Sequence, residues 1–365
     1  MTAAPDGYLE RLAALCALDS PTGDRDGVDA CARWLAAAGE RSGLEVELVD
    51  DPAGLHVVLR VRGTGRGRLV LLGHHDTVYP RPTGSDRPLV VDGDVMRGPG
   101  VVDMKGGLLV GLHALERLAA ERGGAHGTVE LHSVPDEEAR LTPPATLALL
   151  EGADAAICLE CGRESGAIVS RRKAGTWLTL TARGRAAHAG TERERGRSAL
   201  VALAREALRI EAEVHDARPG LSATITQLHA GDVKNTVPDA AWATVDLRAA
   251  TSDDLAWAFA RVAAFAAHDG IALARSDDAG FPAMERADAL VDATLEELRA
   301  LGEPALEETA GGVSDGSWTS HVGVPTVDGL GPVGGRDHSP EEYGLVPSVA
   351  PRIETVVRLA RHLGG

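Results

Sequence analysis

Apolar runs of strand length that finish on histidine, aspartate or glutamate dominate the first half of the chain. RLVLLGHHD (68–76), GTVELHSVPDEE (127–138) and AAICLE (155–160) are all of this kind. Between the first two lies GGLLVGLHALERLAAE (106–121), whose apolar residues recur at helical spacing. Near-continuous apolar strands alternating with helices imply an α/β domain with a mainly parallel central sheet, and such sheets place ligands beyond the carboxyl ends of their strands. The polar clusters fall at such ends. Two helical patterns, Tyr8 to Ala17 and Gly27 to Ala38, are separated by the capping stretch SPTGD, and LEVELVDD and LHVVLRVRG read as further strands.

The middle of the chain has a different order. GTWLTLTARG is a strand, GRSALVALAREALRIEAEVH a helix, LSATITQLHA and AAWATVDLRAA strands, SDDLAWAFARVAAFAAHDG a helix, and IALARS a closing strand. That order is the split βαβ pattern of a ferredoxin-like α/β sandwich, a complete unit that could sit as an insertion. The expected division is 1–172 for the first part of one domain, 173–282 for the insert and 283–365 for the return. The return comprises a helix (Ala287 to Leu301), the loop AGGVSDGSW, a strand in PTVDGLGP, the loop VGGRDHSPEEY and a last helix.

With 365 residues, 44% hydrophobic and 25% charged, the chain has the make-up of a globular protein of two domains. No apolar run approaches the ~20 residues that span a bilayer. A formal charge of −17 argues against nucleic acid or an anionic membrane as partner, because both require a cationic surface. Asp6, Glu10 and Arg11 interrupt the start where a secretory peptide would carry a basic head and an apolar stretch, so a cytoplasmic location is expected. Four cysteines are too few for a disulfide scaffold; Cys158 and Cys161 form CLEC, but no second CxxC completes a structural zinc site.

Gathered from the strand ends, His74, Asp76, Asp103, Glu137, Glu138, Glu160 and the later His338 are the donors that a pair of zinc-like ions requires. Asp76 lies two residues past His74 and so on the same side of a strand, where it can orient the imidazole. Glu137 and Glu138 point apart in an extended segment, so one can bind metal while the other acts as a base. His75 faces away from His74. Each motif alone also has a plain reading: DEE as a solvated helix start, Lys105-Gly106-Gly107 as the first turn of a helix.

GHHDTV, GPGVVDMKGG, DEE, the Glu of CLE, AAHAG, NTVP, DLR, GGVSDG and DHS together resemble the di-zinc aminoacylase and glutamate carboxypeptidase family, which includes acetylornithine deacetylase and succinyl-diaminopimelate desuccinylase. The resemblance covers nearly the whole chain. It implies two Zn²⁺ ions, with His74 and Glu160 on one, Glu138 and His338 on the other, and Asp103 bridging; Co²⁺ or Mn²⁺ are possible substitutes. It further implies Asp76 as the group orienting His74, Glu137 as general base, and His188 as a histidine that reaches a neighbouring active site. Arg248 and Asn235 would hold the substrate's carboxylate and carbonyl, and Ser314, Asp315 and Gly316 would line the substrate loop. The insert would be a lid that dimerises, making a homodimer. The implied activity is hydrolysis of an N-acyl amino acid, or release of a C-terminal amino acid from a small dipeptide-like substrate. A catalytically idle binding scaffold is the alternative, which full retention of ligands and base opposes.

The chain departs from the family pattern in three places. DEE runs into Ala139, Arg140 and LTPP instead of a small-residue turn. Ala167 and Phe281 stand near positions where glutamate carboxypeptidases hold a side-chain carboxylate, which disfavours a glutamate pocket. Arg171, Arg172 and Lys173 are the available substitutes.

Overall fold

A computed structural model describes residues 4–121, 123–139, 145–276 and 280–365. Arg140 and the following LTPP lie outside them. Two compact units emerge, one made of 1–171, 284–310 and 314–365, the other of 172–283 with 311–313.

The first unit is built on a six-stranded sheet in the order Glu45–Asp51, Gly54–Arg62, Thr128–Val134, Arg68–His74, Ala155–Cys158, Thr326–Val327. The first two pairings are antiparallel and the remaining three parallel, so the α/β expectation holds with a mixed sheet whose central part is parallel. Residue by residue, Leu69, Val70, Leu71 and Leu72 pair with both neighbouring strands and are fully enclosed, as strands covered on two faces must be. One face is closed by the helices Tyr8–Cys16, Arg25–Arg41, Lys105–Ala120, Asp288–Ala300 and Val346–Gly364, whose buried residues join one large core. Cys16 and Cys31 are part of it, and none of the four cysteines forms a disulfide.

Two glycines let the helix 105–120 begin close to the sheet. A Cβ on Gly106 would stand 2.1 Å from the Val101 carbonyl oxygen, and one on Gly107 would stand 2.0 Å from that of Leu159. Lys105, buried at 1% exposure, sends its ammonium to the carbonyls of Leu15 and Leu18, where the helix 8–16 ends. The segment AGGVSDGSW, expected as a loop, contains the start of a short helix, Asp315–His321, capped by the Ser314 hydroxyl.

The second unit is a four-stranded antiparallel sheet in the order Ser222–Ala230, Ala240–Ala249, Ala174–Arg183, Ala272–Arg275, the ferredoxin-like arrangement. Leu178, Leu180, Val245 and Leu247 pack with Leu203, Ile210, Ala258 and Val262 of its two helices into a separate core. The second of these helices stops at Ala263, short of the Gly270 that the apolar periodicity suggests. Glu206, buried on the neighbouring helix, accepts hydrogen bonds from the Ala266 amide at 3.0 Å and the His268 ring at 2.9 Å. A buried carboxylate needs such donors, and supplying them draws 264–268 out of helical geometry. No helix among the described residues is long and apolar enough to cross a membrane.

Candidate metal centre

The carboxyl ends of the strands 68–74 and 128–134, the segment after the strand 155–158, and two loops bring five of the expected ligands together. His74 Nε2 lies 3.1 Å from Asp103 Oδ1 and 3.8 Å from Glu160 Oε1. His338 Nε2 lies 3.0 Å from Asp103 Oδ2 and 3.0 Å from Glu138 Oε2. The two oxygens of Asp103 thus face different imidazoles. A tetrahedral cation with bonds of about 2.0–2.2 Å holds its donors roughly 3.3–3.6 Å apart. The observed separations bracket that spacing.

Charge points the same way. Burial pushes the His74 imidazole down, but the carboxylates of Asp103 and Asp76 outweigh it and hold it well above its usual range. His338, hydrogen-bonded to Asp103 and Glu138, is raised to about 11. Asp103 is held low because those two imidazoles overcome its burial. Glu137 is driven well above the usual carboxylate range by burial, with the neighbouring charges of Glu160, Asp315 and Glu138 adding to the effect. Glu138 is raised by burial and by Asp103, and its Oε1 is buried with no hydrogen-bond partner among the described residues. Such a concentration of carboxylates, with an unsatisfied buried oxygen, fits divalent cations well.

Asp76 ties the ligand-bearing elements. His74 Nδ1 is 3.0 Å from the Asp76 carbonyl and 3.3 Å from Asp76 Oδ1, which leaves Nε2 directed at the cluster. The same carboxylate accepts from the Glu137 amide at 3.1 Å, the Glu138 amide at 3.2 Å and the Thr22 hydroxyl at 2.8 Å. Glu137 and Glu138, expected in an extended segment, instead open a 3₁₀ turn, Glu137–Ala139. Glu137 offers an oxygen in one group with His74 and Glu160, and Asp337 offers another beside Asp103 and His338. Neither Thr22 nor Asp337 was expected. His75 points elsewhere, its Nδ1 against the Ser133 hydroxyl at 2.8 Å, and burial lowers it to about 4.

In the second unit His188 is exposed, and its Nδ1 accepts from the amides of Gly190 and Thr191, both at 3.2 Å. A neutral ring with Nδ1 as acceptor carries its proton on Nε2. The Asn235 side-chain amide lies 3.4 Å from that Nε2, and its oxygen is the end that suits an N–H. Arg248 forks onto Asp246 through Nε at 3.0 Å and Nη2 at 3.1 Å, and stacks over Trp177. The Ser314 hydroxyl donates to Asp328, just past the strand 326–327, and accepts from the Gly316 amide of its own turn, while Asp315 is close enough to Glu137 to repel its charge. Arg171 faces Glu285, Arg172 holds the Gly312 and Val313 carbonyls, and Lys173 holds that of Gly220. Ala167 and Phe281 are buried in packing.

Residues 70–362 match the model of peptidase family M20/M25/M40. The chain belongs to that family. Carboxypeptidase G2 from Pseudomonas sp. (strain RS-16) is 29% identical over 371 residues, covering 98% of this chain and 89% of that protein. Succinyl-diaminopimelate desuccinylase from Xanthomonas oryzae pv. oryzae is 29% identical over 302 residues, covering 77% and 80%. Among solved structures, aminopeptidase PepT from Bacillus cereus superposes with a TM-score of 0.82 at 21% identity over the whole of both chains. An M20 family metallo-carboxypeptidase from Sulfolobus solfataricus gives 0.77 at 15%, covering 98% of this chain and 99% of that one. This M20 protein is therefore a metal-dependent amidohydrolase that binds divalent cations and acts on small peptide-like substrates.

Proposed function

We propose that the protein is a two-zinc hydrolase that cleaves an N-acyl amino acid, or frees the C-terminal amino acid of a dipeptide-like substrate. The observation that carries this reading is Asp103, whose two oxygens each stand about one donor spacing from a separate histidine. His74 and Glu160 would hold one ion, Glu138 and His338 the other, and Asp103 both; cobalt or manganese would serve the same oxygen-rich set. Bound there, the ions would supply an electrophile for the scissile carbonyl and a water acidic enough to react near neutral pH.

Glu137 would take the water's proton and return it to the leaving nitrogen. Its burial raises its proton affinity above the usual carboxylate range, which favours its taking that proton. Asp76, by anchoring His74 and the amides of Glu137 and Glu138, would keep base and ligands in fixed relation. His188, with Nε2–H as donor, has the chemistry to steady a developing oxyanion. Arg248 would hold the product carboxylate with the Nη1 side of its guanidinium, which takes no part in the fork to Asp246. Asn235 and the 314–316 turn would complete the contacts, and the second unit would serve as lid and homodimer element.

The test is a mass-spectrometric screen of zinc-loaded protein against N-acetyl, N-succinyl, N-formyl and N-glutamyl amino acids and simple dipeptides, with Glu137→Ala as blank. Release of one amino acid, absent in the blank, supports the reading. No turnover of any member by protein with zinc bound would sink it.

A further inference from the structure

One buried carboxylate outside the set of cation donors contacts the segments that carry two of them. Glu342, 1% exposed, lies four residues beyond His338. Its Oε1 accepts from the backbone amides of Val102 at 2.9 Å and Asp103 at 3.1 Å, and its Oε2 from that of Gly100 at 2.9 Å. The Tyr79 hydroxyl adds a fourth contact, 2.8 Å from Oε2, and lies 2.9 Å from the Ser339 carbonyl. The Glu342 amide in turn donates to the Ser339 carbonyl at 3.2 Å, closing the turn that follows His338.

A carboxylate is an acceptor with about four lone-pair sites, and here four donors meet it. Three amides from one short stretch converging on a single anion fix that backbone, and the last of the three belongs to Asp103 itself. An amide side chain of the same shape cannot replace it, because one end would present N–H to a backbone N–H. The cluster's imidazole and carboxylate ligands are thereby supported from behind by a group that touches neither substrate nor reacting atoms.

We infer that Glu342 is a positioning residue for the cation centre, holding the peptide that carries Asp103 in register with the turn that carries His338. This rests on the proposed role of Asp103 and His338 as ligands. Outer partners of metal ligands typically change affinity by ~10–100-fold when altered.

The experiment uses the full chain, stripped of metal. Zn²⁺ affinity is read by competition with a chromogenic chelator, and ligand geometry by the absorption spectrum of the Co²⁺-loaded protein. For Glu342→Gln the expected result is a ~10–100-fold loss of affinity with an altered cobalt spectrum. Glu130→Gln, which neutralises a buried carboxylate bonded to Arg60, Arg68 and His132, is the control for general destabilisation. It is expected to lower Tm and leave affinity and spectrum at wild type. A folded Glu342→Gln with wild-type affinity and spectrum overturns the inference, as does equal loss of affinity in Glu130→Gln. Should Glu342→Gln not fold, Tyr79→Phe removes one donor and leaves the three amides. A smaller loss of affinity is then expected, and wild-type binding overturns the inference. Wild-type protein that takes up no cation refutes the metal-centre reading itself; wild-type uptake with unchanged variants refutes only the role of Glu342.

Discussion

Replacing Asp76 by asparagine separates the duties of one carboxylate. Oδ1 faces the Glu137 amide and the His74 ring, while Oδ2 faces the Glu138 amide and the Thr22 hydroxyl. An asparagine has one oxygen to place, and it keeps the more demanding side by putting its NH₂ where Oδ2 stood. The Thr22 hydroxyl can rotate and become the acceptor there, but the Glu138 N–H cannot. The expected cost is therefore one hydrogen bond to a charged group, about 1.5–3 kcal/mol. By the conversion of about 1.4 kcal/mol per tenfold, this is about 10- to 150-fold. It should fall mainly on the ion proposed for Glu138 and His338, leaving the one proposed for His74 and Glu160 closer to wild type. Calorimetric titration of metal-free Asp76→Asn with Zn²⁺ resolves the two proposed sites. Equal affinities in variant and wild type, or a loss confined to the His74 site, would refute this division of labour.

Glu137→Gln should retain its cations and lose about 10²–10⁴ in kcat, the span of general acid–base catalysis; metal content and turnover are measured on the same sample. Removing cations with a chelator should lower Tm, and adding zinc to 100 times its dissociation constant should restore about 2.7 kcal/mol, seen as a dose-dependent rise in Tm. Acid should destabilise the fold through His75, which burial holds at about 4 against an unfolded value near 6.5. The unfolded chain binds the proton first, so this stability is complete above about pH 6.5 and lost as pH falls toward 4, about 3 kcal/mol in all. Relative to His75→Asn, which lacks this titration, the wild type should lose stability from pH 7 to pH 5; urea midpoints of the two that shift in parallel would contradict it.

Much of the centre was legible because its chemistry conflicts with its setting. His74, Glu137, Glu138 and Glu160 follow runs that belong in a core, and a core does not end in such groups without a use for them. The same reasoning could not find Glu342 or Thr22, since each lies in a polar loop where its residue type is ordinary and only the tertiary fold supplies its partners. Helical periodicity carried the helix 252–263 too far because the apolar pattern continues, while the Glu206 that ends it lies more than 40 residues earlier. The 310–318 segment reads as a loop from its glycines, yet Ser314 caps a helix there. The roles of Arg171, Arg172 and Lys173 depended entirely on which carbonyls and carboxylates surround them.

Lys105 also bears on where this protein can be cut. The stretch that matches the family model opens at residue 70, and every proposed cation ligand lies inside it. Yet the buried ammonium of Lys105, two residues from Asp103, finds its acceptors at Leu15 and Leu18, and Asp76 finds one of its donors at Thr22. A fragment trimmed to the recognisable stretch would carry all the proposed ligands together with an uncompensated interior charge beside them. The minimal autonomous enzyme is thus longer at its beginning than the portion by which its kinship is recognised, and engineering that swaps or shortens the first helices would be editing the proposed metal centre from a distance.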